Sequence, residues 1–261
     1  MHLFPTHCAH PRATGIACEP GKFGEFTGAT RPDDCTMCPK GHWSGGWGSA
    51  SCQPGNRGHY ITNNANDIDG IGIEEGGTFS LVCPAGQYNP EVEQYLCQSC
   101  PRGKTSNTSG ISCESCPGGK YAAFAGAPEC LPCDRGSIAM GKENVACTKC
   151  NEDLGYTSEP GSTICDVCRI GFYQVDTSCT KCDDEYMICK TEGIELNSLI
   201  LRPGWFRFGA KSEDAYECAS SKSCPGPGTN MTSGGATYGD ALCAGGYEGP
   251  LCNRSVWSRS L

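Results

Sequence analysis

The sequence predicts a small disulfide-rich, mostly irregular/β fold: an elongated tandem array of short two-stranded cysteine-rich repeats with little helix. Three observations carry this. Leu, Ile, Val and Phe make up only about 14% of the 261 residues. That lies below the roughly 20% at which burial offsets the entropy of ordering a backbone. Cysteine, with 23 copies, reaches a density typical of disulfide scaffolds or metal-rich chains. The cysteines also recur with a period near 17 residues, so each unit is too small to own a core and must lean on its neighbours.

The period is carried by seven Cys-x-x-Cys pairs, beginning at Cys35, Cys97, Cys113, Cys130, Cys147, Cys165 and Cys179. A second motif follows the second cysteine of most pairs. It reads Cys-Pro-Ala-Gly-Gln-Tyr at 83–88, Cys-Pro-Arg-Gly-Lys-Thr at 100–105 and Cys-Pro-Gly-Gly-Lys-Tyr at 116–121. Looser copies start at Cys18, Cys38, Cys133 and Cys168. Pro fixes φ as the chain leaves the cysteine, and Gly permits a tight turn with positive φ. The residue after it opens a short strand, and Ser/Thr/Asn/Gly-rich stretches such as 105–110 turn the chain back. Helix has one candidate, Asp183 to Leu201, whose mixed polarity fits either a short helix or coil with one turn.

Paired cysteines at this spacing fit two chemistries, disulfides and zinc. Zinc modules of this spacing usually include histidine, yet His2, His7, His10, His42 and His59 all precede the regular array. The Cys-Pro-x-Gly-aromatic motif serves no metal knuckle. Three N-glycosylation sequons, at Asn107, Asn230 and Asn253, favour an exported chain and so disulfides. A redox-active Cys-x-x-Cys would need a thioredoxin-like βαβ context, which the sequence lacks.

The array from Cys83 to Cys182 resembles the ephrin type A/B receptor-like cysteine-rich repeat, also found in large protist and algal surface proteins without a kinase domain. Its half-units are similar to A-type modules of tumour-necrosis-factor receptors. The resemblance covers residues 18–52 and 83–182 and implies that the cysteine of Cys-Pro-x-Gly bonds to the next cysteine along. Carried over, it joins Cys18 to Cys35, Cys38 to Cys52, Cys83 to Cys97 and Cys100 to Cys113. It likewise joins Cys116 to Cys130, Cys133 to Cys147, Cys150 to Cys165 and Cys168 to Cys179. An interleaved first-to-third pairing is the rival. The ending from Cys243 to Cys252 is similar to the last loop of an EGF-like module, whose two cysteines pair. One thiol is left over, and Cys8 is the candidate.

The chain therefore divides into an unpatterned N-terminus (1–17), divergent first repeats (18–52), an Asx/Gly-rich insertion (53–82), the tandem repeats (83–182) and a capping segment with an EGF-like end (183–261). Within the insertion, Asp67-Ile-Asp-Gly70 hints at a calcium loop. Aligning Gly70 with the EF-hand glycine puts Ala65 and Gly76 where ligands are required, so a solvated Asx-rich turn is the expectation. In the capping segment, Trp205, Phe206 and Phe208 form either a small core or an exposed contact patch.

The net charge of −9 gives no footprint for nucleic acid. No apolar stretch reaches membrane-spanning length. The opening residues lack the apolar core of a signal peptide, so the chain is expected to be a fragment, a processed product or a mis-started gene model of a larger surface or secreted protein. No nucleophile elbow, phosphate-cradling loop or paired-carboxylate pattern is present. The expectation is a non-enzyme without cofactor or metal, at the cell surface or outside the cell: a structural or adhesive spacer. The alternatives are a receptor ectodomain binding protein or glycan, and an intracellular zinc scaffold.

Overall fold

A computed structural model describes residues 15–24, 31–226 and 237–255. Two compact units are present, one comprising Met1–Pro132 with Gly141–Ala146, the other Cys133–Met140 with Cys147–Leu261. Among the described residues, regular structure consists of twelve two-stranded antiparallel sheets, each pairing strands consecutive in sequence. Among the described residues, helix is limited to four 3-10 turns.

The repeat at Cys100 shows how sequence makes a hairpin. Pro101 starts the turn, whose Lys104 N–H donates to the Pro101 carbonyl. Gly103 takes φ +80°, and Lys104–Ser106 then pairs with Cys113–Ser115. Cys116 N–H closes the hairpin by donating to the Gly103 carbonyl at 2.9 Å. The same closing bond recurs from Cys38 to Gly21, Cys100 to Gly86, Cys150 to Gly136 and Cys182 to Gly171.

Neighbouring repeats are stitched through the backbone. Gly103 N–H donates to the Ala122 carbonyl of the next repeat, and the Cys100 carbonyl accepts from Gly126 N–H. The residue in Gly126's place is left-handed in every repeat where this bond forms: Gly48, Gly76, Glu93, Gly126 and Glu143 serve the first unit, Gly161 and Gly193 the second. At Gly76, Glu93, Gly126 and Glu143 in the first unit its carbonyl also reaches one repeat further back. A Cβ on Gly103 would run into the Glu143 carbonyl oxygen, and one on Gly86 into that of Gly126. In the first unit the motif's glycine thus serves both its own turn and the close approach of a repeat two along.

The insertion is ordered, and it is a repeat in disguise. His59–Thr62 pairs with Phe79–Val82 over four registers. Gly55 N–H donates to Gly41, Cys83 N–H to Gly58, and Glu93 N–H to Gly55, the bonds that cysteines make elsewhere. Gly55 and Ser80 therefore occupy the positions of a bonded cysteine pair, and Ile61 faces Ser80 as Ser106 faces Cys113. Ile61 and Tyr60 are buried, and a Cβ on Gly55 would stand 3.0 Å from Ile61 Cδ1. A branched aliphatic fills the space that a disulfide and a small residue share in other repeats. The expectation of a solvated turn holds only for the tip between the strands.

The period also continues past Cys182. Trp205–Phe206 pairs with Tyr216–Glu217, and Cys218 N–H donates to the Gly204 carbonyl. Leu201 and Ala215 stand where the paired cysteines would, with Leu201 buried. The Asp183–Leu201 stretch is neither helix nor simple coil. Met187–Ile188 pairs with Ile200–Leu201 around a 3-10 turn at Leu196–Ser198. This end of the second unit has a real core, in which Tyr173, Met187, Leu199, Leu201, Phe206 and Leu242 pack among cysteines.

Candidate functional site

The residues that dominate the chemistry are cysteines, and among the described residues every one is oxidised. The structure joins Cys18–Cys35, Cys38–Cys52, Cys83–Cys97, Cys100–Cys113, Cys116–Cys130, Cys133–Cys147, Cys150–Cys165 and Cys168–Cys179. It also joins Cys243–Cys252. Two further bridges, Cys182–Cys189 and Cys218–Cys224, were unassigned from the sequence because their short spacings fall outside the repeat. Cys8 lies outside the described residues. With these sulfurs bonded to one another, no thiolate remains among them to bind zinc. No group of three or more His, Cys, Asp or Glu side chains among the described residues is placed to hold a metal ion.

Of the sequon residues, Asn253 is exposed. Asn107 is half-buried and organises its turn: its carbonyl oxygen accepts from Ile111 N–H and the Ser109 hydroxyl, and its amide donates to Ser112 Oγ. Asn230 lies outside the described residues. The aromatic run of the capping segment divides. Phe206 belongs to the core with Trp205 packed beside it. Phe208 stays exposed, in edge contacts with Phe206 and Tyr216.

The tip of the disguised repeat is an exposed loop held by a set of side-chain hydrogen bonds. Asn64 Oδ1 accepts from Asn66 N–H, Asp67 Oδ1 from Asp69 N–H, and Asp69 Oδ1 from Ile71 N–H at 2.7 Å. Thr62 Oγ1 donates to Asp67 Oδ2, while the buried Tyr60 hydroxyl donates to the Asp67 carbonyl. Gln87 Nε2 donates to the Asp69 carbonyl. The Thr62 hydroxyl, with the Asp69 N–H, holds the Asp67 carboxyl below its ordinary range. Between these anchored residues Ile68 is 84% exposed and Ile71 71%. Sequence reasoning missed them, because an isoleucine reads as core unless its loop is known.

The second unit carries a polar surface cavity of about 510 Å³, lined in part by Gln174, Asp176, Glu195, Asn197, Lys211 and Glu213. Tyr173 lies close by, its hydroxyl 3.4 Å from Glu213 Oε2, and burial followed by that carboxylate pushes its pKa up to about 12. Asn197 already donates to Glu195, and Gln174 to the Asp176 carbonyl. Both side-chain amides of the cavity are thus already bonded to neighbours.

No protein family matches this chain, and no curated protein is similar enough to count as a relative. Fold and chemistry together define a disulfide-rich module of tandem two-stranded repeats. Disulfides in this number form and persist in oxidising, extracellular or secretory settings. No helix among the described residues is long and apolar enough to cross a membrane.

Proposed function

We propose that this chain is a non-enzymatic structural or adhesive module, a disulfide-stapled spacer of a larger cell-surface or secreted protein, glycosylated at Asn107, Asn230 and Asn253. One observation carries the reading: every hairpin from Cys83 to Cys182 is closed by its own disulfide, and within each unit neighbouring hairpins adjoin through backbone hydrogen bonds. Such a chain keeps its form without a large core, and its backbone offers a protease few extended segments. The resemblance to ephrin-receptor-like and tumour-necrosis-factor-receptor-like repeats supports the same assignment. A ligand-binding ectodomain is the second reading, favoured by the exposed isoleucines of the 63–71 loop.

The test is intact mass and protease resistance before and after reduction. Reduction and denaturation should add two mass units for each of the eleven disulfides. The oxidised chain should survive a protease that degrades the reduced one. No mass gain, with zinc bound in stoichiometric amount, would replace the extracellular reading with the intracellular zinc scaffold.

A further inference from the structure

From the loop at residues 63–71 we infer a docking element for a protein partner whose contact segment carries aliphatic side chains flanked by Lys and Arg. This goes beyond the spacer role and does not depend on it, since the staples hold whether or not the loop is engaged.

Three observations converge on that partner. Ile68 and Ile71 project into solvent although the same hairpin buries Tyr60 and Ile61 at its base. The hairpin therefore has a core, and these two side chains are not part of it. Their loop is also fixed in place. Its carboxylates and amides are spent on successive backbone N–H groups, and Thr62, Tyr60 and Gln87 hold it from below. A loop already ordered loses little conformational freedom on binding, which keeps more of the contact energy for affinity.

Charge complementarity names the occupant. Residues 58–101 contain six carboxylates, Asp67, Asp69, Glu74, Glu75, Glu91 and Glu93, and no Lys or Arg. From an earlier repeat, Lys40 pairs with Glu74 at 3.2 Å and His42 stands 4.0 Å from Glu93, both away from Asp67 and Asp69. Isoleucines set between Asp67, Asp69 and the Glu74–Glu75 pair fit a segment of aliphatic side chains flanked by basic ones. Acidic neighbours steer such a partner to the loop and disfavour acidic ones, while the aliphatic anchors supply the buried contact.

The probe is a labelled, monomeric peptide of Leu, Lys and Arg, titrated against the oxidised full chain and followed by fluorescence anisotropy. Replacing both isoleucines in an I68S/I71S variant should weaken binding at least about tenfold, with the melting temperature unchanged because neither side chain packs. The single variant Ile71→Ser should show an intermediate loss. Raising salt should weaken the wild-type complex, and an all-Lys peptide should bind about tenfold more weakly than the Leu-containing one. Equal binding to wild type and I68S/I71S, or no binding at all, overturns the proposal. Concentration-dependent dimerisation of the wild type in sedimentation, lost in I68S/I71S, overturns the choice of partner by making the occupant a second copy.

Discussion

Gly103 and Gly141 both sit in the left-handed region, at φ +80° and +74°, so adding a side chain strains either backbone by about 1–2 kcal/mol. Their surroundings differ. A Cβ at Gly103 meets the Glu143 carbonyl oxygen, whereas nothing lies within 4 Å of one at Gly141. Gly103→Ala is expected to cost clearly more, about 3 kcal/mol or above once the clash adds to the strain; Gly141→Ala should cost only the strain. Thermal unfolding of the oxidised chain separates them, and equal losses would mean that the close approach contributes nothing. Glu143 shows what the left-handed position tolerates. It accepts φ +61° while its carboxylate accepts from the Ser115 hydroxyl and pairs with Lys104 at 3.0 Å. Those partners, Ser115 first, draw its pKa below the ordinary value, so a side-chain contact between repeats accompanies a backbone that glycine would adopt more easily.

At the scale of the hairpin, the disguised repeat tests whether the staple or the surrounding pattern defines a unit. Ile61→Ala should destabilise this hairpin by about 2–5 kcal/mol, the usual range for emptying a buried aliphatic site, because no disulfide holds it. In that background, with room made beside Gly55, adding Gly55→Cys and Ser80→Cys should create a twelfth disulfide. Its loop of 25 residues is worth roughly 3.5 kcal/mol by the chain-entropy estimate. Thiol counting and melting temperature report the outcome; two persistently free thiols would show that Gly55 and Ser80 are not equivalent to a bonded pair. This repeat also marks how far the sequence was legible. The cysteine period and the Cys-Pro-x-Gly motif gave the hairpins from Cys83 to Cys182, since each hairpin there is written by its own residues. The units at 55–83 and 201–218 were hidden because a scan keyed to cysteine passes over Gly55, Ser80, Leu201 and Ala215. Gly58-His-Tyr60, echoing Gly41-His-Trp43, was the signal that would have found the first. The candidate docking loop stayed hidden for another reason: exposure of Ile68 and Ile71 follows from Asx hydrogen bonds that composition does not reveal.

At the scale of the molecule, every disulfide among the described residues spans between 6 and 17 residues of sequence. Among the described residues none ties distant repeats, so beyond the continuous chain the contacts between those repeats are non-covalent. They are the backbone bonds of the motif glycines and left-handed residues, together with exposed ion pairs such as Arg135 with Glu159 and Glu192, each worth only about 0–1 kcal/mol. A chain held this way behaves as a series of locally closed units coupled to near neighbours, and a defect should spread only as far as the contacts it breaks. Gly103→Ala severs contacts reaching from the Cys100 repeat to Glu143. Amide exchange should therefore accelerate between about residues 100 and 147, while the bonds of Cys182 to Gly171 and Cys218 to Gly204 keep their wild-type protection. Uniform acceleration along the chain would show a single cooperative fold instead. Localised damage is the behaviour a spacer requires, because a nick or substitution in one repeat then leaves the remaining repeats folded and the chain on either side still joined by intact hairpins.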